Sequence, residues 1–252
     1  MRPSKHQVRR AFGKAASTYD AAAEVQRHTC EALAQMLPAG LTPARILDAG
    51  CGTAYGLQLL AAMFPTAFGI GVDIAETMLH QSRPLPGAVG DLETLPVRSK
   101  TIDLYWSSLS VQWCDLSLVL HEAARVLRPG GTLALTTLGP DTFWELRNAF
   151  ATSDRYQHTL GFISAEAIPA RAAVEGFTEI TLERERLVTH HADLRSLLAS
   201  VKAIGANQVG PGRRTGLMTK GALQRAEATY ETLRTPEGLP LTYDLIYLTA
   251  GK

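Results

Sequence analysis

Cysteine is scarce in this chain of 252 residues, and Cys30, Cys51 and Cys114 are odd in number, far apart and never paired as Cys-x-x-Cys. That spacing supports neither a disulfide framework nor a zinc site, and it fits a reducing compartment. No apolar run approaches the roughly 20 residues that span a bilayer. The basic N-terminus leads into Ala11-Phe12-Gly13-Lys14 rather than a continuous apolar segment, so a secretory signal is not expected. Charge of one sign is missing too, since a formal net charge of +1 removes any global electrostatic case for nucleic acid or an acidic membrane. Repeats and low-complexity stretches are absent, and no set of His, Cys and carboxylate residues has metal-ligand spacing. What is left, at 46% hydrophobic and 19% charged residues, is an ordinary globular α/β composition, with the cytoplasm as the expected location and a monomer as the expected state.

Locally the charge is uneven. Arg2, Lys5, Arg9, Arg10 and Lys14 precede the first acid at Asp20, and Arg195, Lys202, Arg213, Arg214, Lys220 and Arg225 fall in an acid-free stretch from Leu194 to Ala226. Either run is a solvated face or an electrostatic footprint.

Strand-like and helix-like patterns alternate as a doubly wound parallel sheet requires. Arg45 to Ala49 reads as a first strand, and Leu57, Leu60, Ala61 and Phe64 form the apolar stripe of a helix that Pro65 ends. Ala67 to Val72, Ala88-Val89 and the alternating Ile102, Leu104 and Trp106 give strands two to four. Leu116, Leu120, Ala123 and Leu127 mark a helix, Pro129-Gly130-Gly131 its stop, and Thr132 to Thr137 strand five. Helices follow over 141–151 and 165–175, then strand six over 179–187 and a last strand over 239–250. The expected division is an N-terminal helical segment over 1–40, an α/β core over 41–191 and 236–252, and a helical cap insertion over 192–235 above the pocket.

Chemistry concentrates at Ile46-Leu47-Asp48-Ala49-Gly50-Cys51-Gly52, where an apolar strand ends in a carboxylate and two glycines. Gly50 and Gly52 permit a sharp turn and close ligand approach, with the amides of the next helix expected to point at the ligand. A dinucleotide fingerprint would need its third glycine at Tyr55, yet the glycine is Gly56. Asp48 would also repel a pyrophosphate while welcoming an ammonium group, as S-adenosylmethionine (SAM) carries. This counts against a nicotinamide dehydrogenase. Asp73, at the end of strand two, either accepts from both ribose hydroxyls or caps the following helix. Asp91 and Leu92, after strand three, suit an adenine amine and face or simply make a turn. Trp106-Ser107-Ser108-Leu109 closes strand four beside the point where strand order reverses, with Trp106 itself expected in the core.

Asp48-Ala49-Gly50-Cys51-Gly52, Gly71-Val72-Asp73, Gly90-Asp91, Asp103-Leu104 and Leu127-Arg128-Pro129-Gly130-Gly131 together resemble the class I SAM-dependent methyltransferases, whose sheet is Rossmann-like and seven-stranded. The resemblance narrows through Arg10 to Ala16 with Tyr19-Asp20, Trp106 to Cys114, Val201 to Ala206 and Pro240 to Tyr243. These stretches are similar to the carboxyl O-methyltransferases of the biotin pathway that act on malonyl-acyl-carrier protein. The likeness implies SAM as methyl donor, held by Tyr19, Asp48, Gly50, Cys51, Gly52, Asp73, Ile74, Asp91, Leu92 and Ser107. It also implies methylation of the free malonyl carboxylate, giving the ester that primes pimeloyl synthesis.

Attack by an ionised carboxylate needs alignment rather than a general base, in accord with His28, His121, His158, His190 and His191 lying on no evident site motif. Tyr19, Gln112 and Trp113 are the candidates that line the reacting centre, each open to a plain packing role. Lys202, Arg213, Arg214 and Tyr243 are the candidate partners of the carboxylate, and the basic cap and N-terminus would steer an acidic carrier protein. The alternatives are a SAM enzyme of the same family acting on another carboxylate or on a protein side chain, and a non-catalytic SAM-binding assembly factor.

Overall fold

A computed structural model describes residues 2–81, 85–151, 153–206, 208–214, 216 and 218–252. Its seven strands are β1 (Arg45–Ala49), β2 (Phe68–Asp73), β3 (Gly87–Val89), β4 (Ile102–Ser107), β5 (Leu127–Leu138), β6 (Thr178–His191) and β7 (Leu239–Gly251). They form one sheet in the order β3-β2-β1-β4-β5-β7-β6. The strands from β3 to β5 run parallel, while β7 pairs antiparallel with both β5 and β6. This is the expected doubly wound architecture, and its reversal of strand order between β1 and β4 places a crevice beyond their carboxyl ends.

Helices cover both faces because β4 is buried at every position and β1 at all but its first. On one face Leu47, Ala49, Tyr105, Leu133 and Leu135 pack with α6 (Leu116–Val126) and α8 (Ala167–Val174). On the other, Ile46, Leu104, Trp106 and Ala134 pack with α3 (Glu24–Gln35), α4 (Tyr55–Met63) and α7 (Trp144–Ala151). Leu33 and Leu47 are fully buried, each worth about 1.5–3 kcal/mol. Between β6 and β7 the chain forms α9 (Leu194–Ala203) and α10 (Lys220–Glu231), and α10 packs on α7. Ahead of α3 stand α1 (Lys5–Ala15) and α2 (Tyr19–Ala22), and α5 (Glu76–Gln81) follows β2.

Several expected boundaries shift. Strand five begins at Leu127, because Leu127 already pairs with Ile102 and the Pro129-Gly130-Gly131 turn is absorbed as a register shift before Thr132. The same irregularity sends Ile102 to the face opposite Leu104 and Trp106. Strand six runs on to His191, since β7 supplies a partner along its whole length. Helices α7 and α8 start two to three residues later than expected. In α4, Leu57 and Leu60 face the core but Ala61 is exposed.

Asp103 ties the sheet together at the end remote from the crevice. Its carboxylate accepts from the amides of Ala44 at 2.8 Å and Arg45 at 2.7 Å, and it pairs with Arg128 at the start of β5. Asp103→Ala should therefore lower stability in urea denaturation by about 1–3 kcal/mol, because two backbone amides lose their acceptor and Arg128 its partner. Asp103→Asn, which retains an acceptor oxygen, should cost clearly less; equal losses would show that charge rather than hydrogen bonding matters here.

Candidate active site

The loop from Gly50 to Ala54 folds back onto the end of β2. Gly50 (φ 79°), Gly52 (φ 54°) and Ala54 (φ 67°) all occupy the left-handed region, at which a non-glycine residue such as Ala54 carries strain. The amides of Gly50 and Cys51 donate to the Val72 carbonyl at 2.7 and 3.1 Å, and that of Gly52 to Asp73 Oδ2 at 3.0 Å. These loop amides are thus used within the protein and make no anion cradle. The loop presents acids instead.

The displaced glycine has a packing reason. A Cβ on Gly56 would lie 2.8 Å from Trp106 Nε1 and 3.2 Å from Asp48 Oδ2, so only glycine lets α4 approach β1 and β4 this closely. Gly50 meets a similar limit, as its Cβ would lie 2.2 Å from Ser110 Oγ, whose hydroxyl donates to the Gly50 carbonyl at 3.0 Å.

A cavity of about 290 Å³ opens at the carboxyl ends of β1, β2 and β4. Asp48, Gly50, Cys51 and Gly52 line it from β1 and its loop, Asp73 and Ile74 from β2, Asp91 and Leu92 from the turn after β3, and Tyr19 from α2. Nine of the ten residues expected around the cofactor thus meet in one place. Ser107 does not: it is fully buried, and its hydroxyl donates to the Ala49 carbonyl at 2.7 Å, pinning β4 to β1. Its neighbours Ser108, Leu109 and Ser110 line the cavity.

Asp73 is held locally and also faces the cavity. Oδ1 accepts from Ala75 N at 2.8 Å, a local turn bond, while the same carboxylate lines the cavity. Asp91 is more constrained than expected, because its Oδ1 accepts from Lys5 Nζ at 2.8 Å and from Glu93 N at 3.0 Å. Lys5 also pairs with Glu93 at 2.8 Å, fastening α1 across the cavity. Asp20 accepts from the Thr53 hydroxyl at 2.6 Å, fastening α2 to the glycine loop.

Burial, with Asp73 nearby, pushes the Asp48 carboxyl up to about 7. Burial also pushes the Cys30 thiol up to about 12, and drives Cys51 and Tyr19 upward, so all three keep their protons at neutral pH. The residues present fit a ligand with a cationic group and several hydrogen-bonding groups. Two acids converge, a Cβ at Gly52 would meet open space, and the Trp106 Nε1, Trp113 Nε1 and Gln26 Oε1 atoms are buried without a partner. SAM offers such a set of groups.

A second cavity, of about 190 Å³, adjoins the first, and Phe12, Tyr19, Gln26, Leu109 and Trp113 line both. Trp113 is 7% exposed and meets the Phe12 ring edge-on at 5.5 Å. Leu109 sits at φ 47°, held by its amide's bond to Thr136 Oγ1 at 2.9 Å and by Gln112 Nε2 donating to its carbonyl at 2.6 Å. Gln112 and Tyr243 line this second cavity, as does Phe143, whose ring meets Tyr243 edge-on at 5.0 Å.

Among the described residues no Lys or Arg lines the second cavity. Lys202 and Arg213 face an outer groove, because α9 turns its apolar side inward. Arg214 pairs with Asp154 at 3.2 Å and lies over the Tyr156 ring at 5.3 Å, a latch between cap and core. His158, which no sequence motif marked, does line the cavity. Its Nε2 lies 2.9 Å from Asp154 Oδ1 and its ring stacks on Phe150 at 4.1 Å. Gln26 was missed as well; being on a helix far from any strand end, it carried no local signal.

The raised Asp48 carboxyl makes ligand binding pH-dependent. A folded-state value near 7, against an ordinary 3.8, weakens the ligand-free fold as pH rises across that interval. A bound ammonium favours the ionised form, so SAM affinity measured by calorimetry should weaken as pH falls below 7 and level off above it. Asp48→Asn should raise the melting temperature of the ligand-free protein at pH 8, weaken SAM about tenfold or more and flatten the pH dependence. Undiminished affinity in that variant would remove Asp48 from the site.

Residues 47–135 match the family model of a methyltransferase domain. A malonyl-acyl-carrier protein O-methyltransferase of Dechloromonas aromatica is 50% identical over 252 residues, covering 100% of this chain and 96% of the relative. One of Herminiimonas arsenicoxydans is 41% identical, covering 98% and 96%. Among solved structures, the fold matches phosphoethanolamine N-methyltransferase 2 of Haemonchus contortus in complex with S-adenosyl-L-methionine, at a TM-score of 0.59 and 16% identity over 95% of this chain and 57% of that one. The acid-lined cavity after β1 and the full-length likeness lead to one assignment: this chain belongs to the family of malonyl-acyl-carrier protein O-methyltransferases.

Proposed function

We propose that this chain transfers the methyl group of SAM to the free carboxylate of a malonyl thioester borne by acyl-carrier protein, giving the methyl ester that primes pimeloyl synthesis for biotin. The observation that carries the reading is the shared wall. An acid-lined cavity suited to SAM meets an apolar cavity without Lys or Arg at Tyr19 and Trp113. When bound, SAM supplies a methyl on a sulfonium: the carboxylate oxygen bonds to that carbon as the carbon–sulfur bond breaks, the electron pair stays on sulfur, and no proton moves.

The residues at the wall suit this chemistry. Tyr19 keeps its proton because it is buried and beside Cys30 and Asp73, so it acts as a neutral donor rather than a base. The Trp113 indole N–H, buried without a partner, is a second neutral donor, and Gln112, fixed on the Leu109 carbonyl, shapes the floor. Tyr243 offers a third hydroxyl, also kept protonated by burial. Neutral donors orient a carboxylate while stabilising its ground-state charge, which is lost in the transition state, less than an ion pair would. The apolar remainder, including Leu109 and Phe143, strips water from the nucleophile. Asp48, Asp73, Ile74, Asp91 and Leu92 hold SAM in this reading, and Lys202 and Arg213 act on the carrier rather than on the carboxylate. A monomer is the acting unit in this reading, since residues of one chain suffice to line both cavities.

Mass spectrometry should find a gain of one methyl on malonyl-acyl-carrier protein and none on its decarboxylated acetyl form. Tyr19→Phe should lower kcat about tenfold, the loss of one oriented hydrogen bond, while SAM still raises the melting temperature. Methylation of a protein side chain, with no product from any malonyl thioester, would overturn the reading.

A further inference from the structure

The two acid-free basic stretches, far apart in sequence, meet in space. Arg10 and Lys14 of α1 face Lys202 of α9 and Arg213 across an outer groove, and among the described residues no acidic one lines it. Among the described residues none of these four side chains takes part in an ion pair, whereas Lys5, Arg125, Arg184 and Arg214 all do. Four like charges around one concavity repel each other unless an anion joins them.

The groove also backs directly onto the second cavity. In α1, Phe12 lines the cavity while Ala11 and Lys14 line the groove; in α9, Leu198 and Val201 line the cavity while Ala199 and Lys202 line the groove. The wall between them is one helix thick, about 10 Å. Gly205 (φ +73°) lets the chain after α9 approach α1 closely, since a Cβ there would lie 3.1 to 3.3 Å from atoms of Phe12.

We infer that this groove binds the phosphate of the pantetheine arm that carries the malonyl group. The inference rests on the carrier-bound thioester proposed above. It places the arm's phosphate among Arg10, Lys14, Lys202 and Arg213, and its thioester end, with the malonyl carboxylate, in the second cavity. Lys and Arg are the side chains that hold phosphate by charge-assisted hydrogen bonds, and their position outside the cavity keeps those charges off the reacting carboxylate.

The test compares the malonyl thioesters of 4′-phosphopantetheine and of pantetheine, which differ by that phosphate alone. The unaltered protein should favour the phosphorylated thioester in kcat/KM by about tenfold or more, the contribution of one charge-assisted hydrogen bond. In Lys14→Ala/Lys202→Ala that ratio should collapse toward one, and Lys14→Arg/Lys202→Arg should restore it. A measurement needing no variant is salt: kcat/KM for the phosphorylated thioester should fall with ionic strength more steeply than that for the pantetheine thioester. A ratio near one in the unaltered protein, or a preference that survives the double alanine change, overturns the inference. So does a loss confined to the whole malonyl-carrier protein, which would assign the groove to the carrier's acidic surface. If neither thioester nor malonyl-carrier protein is methylated at all, the proposed function itself fails.

Discussion

Asp48 and Asp73 are two carboxylates buried within one crevice, and the site is organised around containing them. Placing acids at the ends of adjacent parallel strands is costly, and the Asp48 carboxyl is pushed up to about 7 as a result. The Gly52 amide of the glycine loop and the Ala75 amide just beyond β2 offset part of that cost for Asp73. The remainder is left to a cationic ligand. The same arrangement explains why this turn, although built with glycines, cannot serve a pyrophosphate: its amides are already bonded to β2, and what faces the cavity is negative.

The roof over that crevice comes from residues before β1. Phe12 and Tyr19 belong to the first helices, yet they contribute to both cavities, and Lys5 and Asp20 fasten those helices to Asp91, Glu93 and Thr53. These fastenings are hydrogen bonds and ion pairs at partly exposed positions, each weak on its own. A roof attached in this way opens more readily than the sheet beneath it, as a cavity that must admit a cosubstrate requires. The cap is attached on the opposite side by Arg214 to Asp154, and Gln157 N donates to the Gly212 carbonyl at 2.9 Å.

Charge is sorted by depth. Four acids line the first cavity together with Lys5 and Arg27, rings and uncharged donors predominate in the second, and outside it, on α1 and α9, stand cations that take part in no ion pair among the described residues. A reaction that joins a sulfonium to a carboxylate annihilates two charges, so a strongly charged reacting centre would favour the reactants over the transition state. Attraction at longer range carries no such penalty. This ordering gives Lys202 and Arg213 a use that differs from the one their position in the sequence implied.

The amino-acid sequence by itself determined the strands, the acid-glycine turn and nine residues that line the first cavity, from Tyr19 to Leu92. Local chemistry sufficed there: burial on both faces makes strands apolar, and a parallel sheet must put its ligand at strand ends. The exception at Ser107 has the same origin, since a one-residue step along a strand turns a side chain from one surroundings to another. Only the tertiary structure decided which basic residues face outward, that Arg214 is a latch, that His158 and Gln26 reach the cavities, and that residues 10 and 202 share a groove. Those outcomes depend on how helices at opposite ends of the chain rotate against each other, which is set by long-range packing of apolar faces rather than by any local pattern of residues.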